Sequence, residues 1–389
     1  MSHTPASSRE GGVTNLSLDR RESLKALGSC AVSLPLMGAG APTPYSPGDY
    51  HRATVIDMQG GFDNAKTIEQ AIQDVARSGL TAISATVGMV GNGPDRWKSV
   101  VDEIAFNEGL IDANPRVLSR IRRYSDLTAA KTSGRTGLVY NVQDTSALEG
   151  DVGRVGELKK LGVRVVQLTY NKRNLCGDGC LEPGDAGISD LGRQVIDAVN
   201  SSKLLLDLSH GGRRTISEAA QYSKAPPAVT HTACRALVNN QRNLDDDQMR
   251  EIAERGGVVG IYLIAYLRSG IGQPALNARG QDLIAHIEHA SRICGEDHIG
   301  IGTDGGVSAL VIDAEALANQ KARYEDRVKQ GFATAGEGPD VFNYVPEYNS
   351  PLRFLMVAQD LAKRGWSTRA IDKLIGGNFD RLFREIWDA

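Results

Sequence analysis

Past residue 50 the chain alternates short apolar runs with longer amphipathic stretches. Runs rich in Val, Ile and Leu fall at 53–58, 80–87, 136–142, 163–169, 203–208, 227–230, 257–264 and 298–302. They are nearly continuous rather than alternating, as parallel strands buried on both faces require. Helical spacing lies between them, for example at 67–77, 151–161, 191–201, 215–222, 246–255 and 281–294. Asp245 or Asp246, and Thr215, are placed to act as N-caps. Eight strands alternating with helices predict an α/β fold, a single-domain (β/α)8 TIM barrel.

The residues just past each strand are more informative than the strands themselves. The first run leads into Gln59-Gly60-Gly61, the third ends at Gln143-Asp144, and the fourth at Tyr170-Asn171. The fifth ends at Ser209-His210, the sixth at His231-Thr232, and the eighth at Asp304-Gly305-Gly306. In a barrel these ends converge on one mouth, where active sites sit. His210, His231 and Asp304 are therefore expected to meet in space. His286 and His289 fall on an outer helix and read as surface residues, and His51 precedes the first strand and receives no role. Cys234, beside a buried strand end, reads as packing.

The first 41 residues do not share the rhythm. Arg20-Arg21 is followed by Leu24-Lys25, a mildly apolar stretch and Ala39-Gly40-Ala41. That order resembles a twin-arginine export signal, with Ser23 where the pattern usually has Phe, and it implies a periplasmic or secreted protein. A tail with an accidental Arg pair is the other reading. Leu27-Gly28-Ser29-Cys30 also resembles a lipoprotein cleavage box, though almost no apolar stretch precedes it. The barrel then occupies 42–389. Within it, 319–348 is long, polar and punctuated by Gly and Pro, and reads as a lid or subunit contact over the mouth, or as a solvated insertion.

Charge and cysteine content narrow the class. With 44 basic and 47 acidic residues in 389, the chain has no basic excess to neutralise phosphates, which argues against a nucleic-acid partner. No apolar run reaches the ~18 residues of a membrane-spanning helix. Cys176 and Cys180 lie close enough to pair across a loop if the protein is exported, with free thiols as the alternative.

Several segments resemble the membrane (renal) dipeptidase family of metallopeptidases. They are Leu161-Gly162-Val163-Arg164, Gln167-Leu168-Thr169-Tyr170-Asn171, Asp207-Leu208-Ser209-His210 and Thr230-His231-Thr232-Ala233-Cys234-Arg235. Arg242-Asn243-Leu244-Asp245-Asp246, Gly256-Gly257-Val258-Val259-Gly260, Gly300-Ile301-Gly302-Thr303-Asp304 and Gly376-Gly377-Asn378-Phe379 continue the pattern, which spans about 53–387. The resemblance implies a (β/α)8 barrel and, in hydrolytic members, a two-zinc site that cleaves dipeptides. By position, His210 and His231 would hold the second zinc, Arg242 the substrate carboxylate, and Asp304 the proton in transit. Tyr170 and Asn171 would contact substrate.

The departures concern the other half of the site. Where the family has His-x-Asp on the first strand, this chain has Gln59 and Gly61. Gln143 replaces the bridging Glu and Tyr170 a histidine; Asp57 and Asp63 lie near the lost Asp. One zinc is thus expected rather than two, or none. Gln143, Asp57 or Asp304 is the candidate third ligand, since a single zinc normally takes three protein ligands. Three functions are compatible with this set: a dipeptidase-like hydrolase of small amides with a free carboxylate, an isomerase or tautomerase of a peptide-derived natural product, or a non-catalytic carboxylate binder. The family also implies a homodimer.

Overall fold

The computed structural model describes residues 43–388. The export-signal expectation, with Arg20, Arg21, Cys30 and the 39–41 site, lies outside the described residues.

Eight parallel strands form the barrel: β1 (Ile56–Asp57), β2 (Ala82–Thr86), β3 (Thr136–Val142), β4 (Val163–Gln167), β5 (Leu205–Asp207), β6 (Ala228–Thr232), β7 (Val258–Ile261) and β8 (Ile299–Ile301). Each pairs with the next in chain order, from Ile56 opposite Ala82 to Ile301 opposite Ile261. All eight coincide with the predicted apolar runs. The seam between β8 and β1 is closed differently. Met58 N donates to Ile301 O (3.1 Å), Asp304 N donates to Gln59 O (2.7 Å), and Gly60–Gly61 pairs in parallel with Gly305–Gly306. Gly60 is required there, because a Cβ would come within 2.7 Å of the Asp57 carboxylate.

One residue from each of β1 to β7 (Ile56, Ala82, Val139, Val165, Leu205, Ala228 and Val258) faces a single apolar cluster. The C-terminal helix Asn378–Trp387 completes it with Phe379, Leu382, Phe383 and Ile386, all buried. Phe379 packs on Gly300 of β8, where a Cβ would collide with its ring. The interior is thus filled side chain by side chain, as barrels of this size are.

The structure corrects several expectations. A short strand, Leu118–Arg120, pairs with the start of β3 on the side that β4 takes over further along. Thr215 is not an N-cap: the helix Arg213–Tyr222 begins after Gly212, and Thr215 lies buried inside it, accepting from Asp178 N. Asp245 does cap Asp246–Glu254, in a capping box with Gln248. His286 is not a surface residue but fully buried; its Nδ1 accepts from Cys234 N (3.0 Å) and its Nε2 donates to Leu267 O (2.9 Å). His289 is partly covered and paired with Asp246. Of the two cysteine readings the structure has the free-thiol one: the four cysteines among the described residues are unpaired, Cys176 and Cys180 included. Among the described residues, no helix is long and apolar enough to cross a membrane.

The insertion after β8 is largely helical. Ala314–Gln330 forms a helix with no buried residue, which is why its polar sequence reads as loop.

Candidate active site at the barrel mouth

Two carboxylates latch neighbouring strand ends in the same way. Asp207, ending β5, accepts from Ser209 N (2.9 Å), Ser209 Oγ (2.7 Å), Thr230 N (3.0 Å) and Thr230 Oγ1 (2.6 Å). Asp57, ending β1, accepts from Gln59 N (3.2 Å), Thr303 N (2.8 Å) and Thr303 Oγ1 (2.6 Å). Each Asp therefore grips the amide two residues on and a threonine at the end of an adjacent strand. The residues just beyond the latches are His210, His231, Asp304 and Gln59. His210 (φ 63°) and Asp304 (φ 55°) adopt the left-handed backbone conformation, which few non-glycine residues take.

The latch between β5 and β6 fixes the histidine protons. Thr230 Oγ1 gives its one proton to Asp207, so it accepts from His231 Nδ1–H (2.8 Å). On the other ring, Asn171 Nδ2 donates to Phe332 O (2.8 Å), which turns Asn171 Oδ1 towards His210 Nδ1 (2.6 Å) and makes that nitrogen a donor. Both Nε2 atoms then carry lone pairs, and they face each other at 3.0 Å. Burial holds both imidazoles well below their ordinary range, with Arg242 adding to the effect, so neither ring supplies a proton to that contact. Two inward lone pairs with their outer nitrogens tied down fit a cation between them. Tyr170 stacks on His210 with centroids 4.1 Å apart.

The half of the mouth beside β1 to β3 has a different character. Gln59 Nε2 and Gln143 Nε2 both donate to Thr86 Oγ1 (2.8 Å each). Asn141 Nδ2 donates to Ser84 Oγ (2.9 Å) and reaches Gln59 Oε1 at 3.5 Å. This is a neutral, mutually satisfied network of amides and hydroxyls, with no anion to offset a second metal. Among the described residues, no group of three or more His, Cys, Asp and Glu could hold a metal ion. The histidine pair offers an ion two nitrogen ligands, one short of the three a zinc normally takes, and this half of the mouth offers no carboxylate for a second ion. Asp57 drops out as a third ligand, because both its oxygens are committed to the latch. Gln143 keeps only its side-chain amide oxygen free of donors among the described residues, its backbone carbonyl accepting from Gln167 Nε2 (2.6 Å).

Arg242, Tyr170 and Asp304 line one pocket with His210. Arg242 is buried and donates to His231 O (3.2 Å). Burial pushes Asp304 above the usual carboxylate range, while Arg242, then Arg323 and Arg327, pull it back. Asn171 does not line this pocket: it sits behind His210 and orients it.

The mouth also contains residues that the strand pattern did not reveal. The helix Ala314–Gln330 sends Gln320, Arg323, Tyr324 and Arg327 into the pocket. Their spacing of i, i+3, i+4, i+7 is one helical face, and that spacing was readable. Arg327 pairs with Glu337 through both oxygens (2.6 and 2.8 Å) and donates to Tyr170 Oη (3.3 Å). Tyr266 and Thr334 also donate to Glu337.

Comparisons with known proteins bear on the family and the fold. Residues 49–320 match the family described as membrane dipeptidase (peptidase family M19). Dipeptidase verJ of Clonostachys rogersoniana is 26% identical over 318 residues, covering 75% of this chain and 72% of that relative. The crystal structure of an amidohydrolase from Pseudomonas aeruginosa superposes with a TM-score of 0.75 at 30% identity, over 89% of this chain and 100% of that one. The probable dipeptidase PvdM from the same species superposes with a TM-score of 0.68 over 88% and 97% of the two chains; at 19% identity this is a likeness of fold.

Proposed function

The chain belongs to the membrane dipeptidase family, peptidase family M19, and from that premise we propose that it is an exported hydrolase of dipeptides or related small amides with a free carboxylate, using one zinc ion at His210 and His231. The observation that carries this reading is the pair of facing Nε2 atoms, 3.0 Å apart, with His210 lining one pocket with Arg242 and Asp304 and His231 fully buried behind it. A zinc ion held there would supply Lewis-acid polarisation of the scissile carbonyl.

The chain's own residues do the rest. Arg242 offers a planar guanidinium that clamps a carboxylate through paired hydrogen bonds. Asp304, held above the usual carboxylate range by burial, suits a group that takes a proton from the attacking water and returns it to the departing amine. Asn171 and the Asp207–Thr230 latch hold the two imidazoles in the tautomer that presents Nε2. The Arg327–Glu337 pair and Tyr170 wall the pocket.

Zinc analysis of the purified full chain, together with a dipeptide cleavage assay, tests the proposal. About one zinc per chain with measurable cleavage is expected. No zinc, with unaltered stability on adding it, would remove the single-ion reading. Zinc binding without cleavage of any dipeptide would move the assignment to an isomerase or a carboxylate binder, which the neutral Gln59–Thr86–Gln143 network also accommodates. Export through residues 1–41 belongs to the same proposal. Changing Arg20 and Arg21 to Lys should strand the precursor in the cytoplasm, and unchanged periplasmic recovery would refute it.

A further inference from the structure

The inner pocket at the mouth is small, about 50 Å³. Ligand pockets usually run to roughly 300–1,000 Å³. Immediately outside lies a cavity of about 390 Å³, and the two share Gln320, Arg323 and Asn343 as common wall. A ligand that reaches His210 and Arg242 with its reacting end must therefore extend past Arg323.

The guanidiniums at that boundary differ in how they are answered. Three guanidiniums surround the mouth. Arg327 is fully answered by Glu337. Arg242 lies buried beside the histidines, where one substrate carboxylate is proposed to sit. Arg323 forms no ion pair or hydrogen bond among the described residues, although it stands close enough to Asp304 to pull that carboxyl's affinity for protons down. Asp304, with Asp63 close enough to raise it, faces Arg242 and Arg323, neither of which has an ion-pair partner among the described residues. Elsewhere on the outer cavity's wall Glu315 adds negative charge, and Asp313 there is already paired with Lys66. A second anionic group on the ligand is repelled by that wall and attracted at the junction.

We infer that Arg323 is a specificity residue that reads a second carboxylate, so the substrate class is a dicarboxylate amide spanning the inner pocket and the outer cavity. The inference rests on the hydrolase reading and narrows its substrate class. Arg323 belongs to an exposed helical face rather than to the barrel, so Arg323→Gln should leave the fold intact, which a thermal melt checks.

The test uses two isosteric dipeptide pairs, Ala-Glu with Ala-Gln and Glu-Ala with Gln-Ala, on the zinc-loaded full chain. In at least one pair the dianionic member should have a KM about three- to tenfold lower, as one charge-assisted hydrogen bond at a solvent-facing site gives. Arg323→Gln should collapse that ratio towards one, through KM rather than kcat. Equal KM values within both pairs, or a ratio unchanged in Arg323→Gln, would overturn the inference. If the wild type cleaves none of the four, the hydrolase reading fails, and calorimetric binding of the same peptides still decides the point. A dianionic preference lost in Arg323→Gln would sustain it; equal binding, or none, would end it.

Discussion

The mouth has two latched junctions, β5–β6 and β8–β1, built from the same parts and ending in different chemistry. In each, a buried Asp holds a backbone amide two residues on and a Thr at a neighbouring strand end. Past the first latch stand His210 and His231, whose lone pairs converge. Past the second stand Asp304, which retains a carboxylate, and Gln59, which has merged into a neutral network with Thr86 and Gln143. The frame that aims side chains is thus separable from the groups it aims. Ligands can be exchanged at a strand end while the latch keeps the backbone in place.

The largest effect should come from cutting the latches. Asp207→Ala and Asp57→Ala each leave several buried donors without an acceptor, and each should cost about 4 kcal/mol in urea unfolding. Only Asp207→Ala should also weaken zinc binding, by about 10–100-fold, because Thr230 then no longer fixes the His231 tautomer. Equal zinc loss in both variants would show that the two junctions are not independent.

A somewhat smaller effect should appear in the pH dependence of stability. Burial pushes Asp57 up to about 6, from 3.8. Its folded pKa is raised, so its contribution is full below pH 3.8 and is lost as pH rises through about 6. His286 is pushed down to about 4 by burial, from 6.5, so its contribution is present above 6.5 and is lost as pH falls towards 4. The two oppose each other across the same window. Asp57→Asn should therefore make stability climb more steeply between pH 4 and 6, by about 3 kcal/mol relative to wild type. Parallel curves for the two proteins would refute the assignment of that slope to the β8–β1 latch.

The smallest expected change comes from making the two junctions chemically alike. The triple change Gln59→His, Gly61→Asp, Gln143→Glu should add about one zinc per chain, since carboxylate charge is what a two-metal clamp requires. Gly61 does not adopt a left-handed conformation, and a Cβ there would meet only the flexible Asp63 side chain, at 3.3 Å. Dipeptide cleavage should rise modestly, with Tyr170 unchanged. A parent that already cleaves as fast would show its own single-ion set to be the working one.

All eight barrel strands were legible because burial on both faces leaves an unbroken apolar run, which needs no partner to be recognised. The histidine pair and Asp304 were legible because strand ends converge in a barrel. Other features were hidden for physical reasons. Leu118–Arg120 is too short to build a run, and Gly60–Gly61 has no side-chain pattern at all. The helix Ala314–Gln330 buries nothing, so it has no apolar stripe; its signal was a polar one, at 320, 323, 324 and 327. His286 shares a stripe with Leu283, Ile287, Ala290 and Cys294, and that company rather than its own polarity marked it as buried. Asn171 was read as facing substrate, but which way a side chain turns at a strand end depends on the carbonyl of Phe332, 161 residues away.

The seam between β8 and β1 has a consequence for how the protein is made. Asp57 and Thr303 are 246 residues apart. At about 5–20 residues per second of synthesis, β1 leaves the ribosome on the order of 10–50 s before its second neighbour exists. During that interval one edge of β1 has no partner, a hazard that a two-residue strand keeps small. The mouth assembles only when the seam closes, so a nascent chain halted before residue 303 carries both histidines but lacks Asp304 and the closed rim.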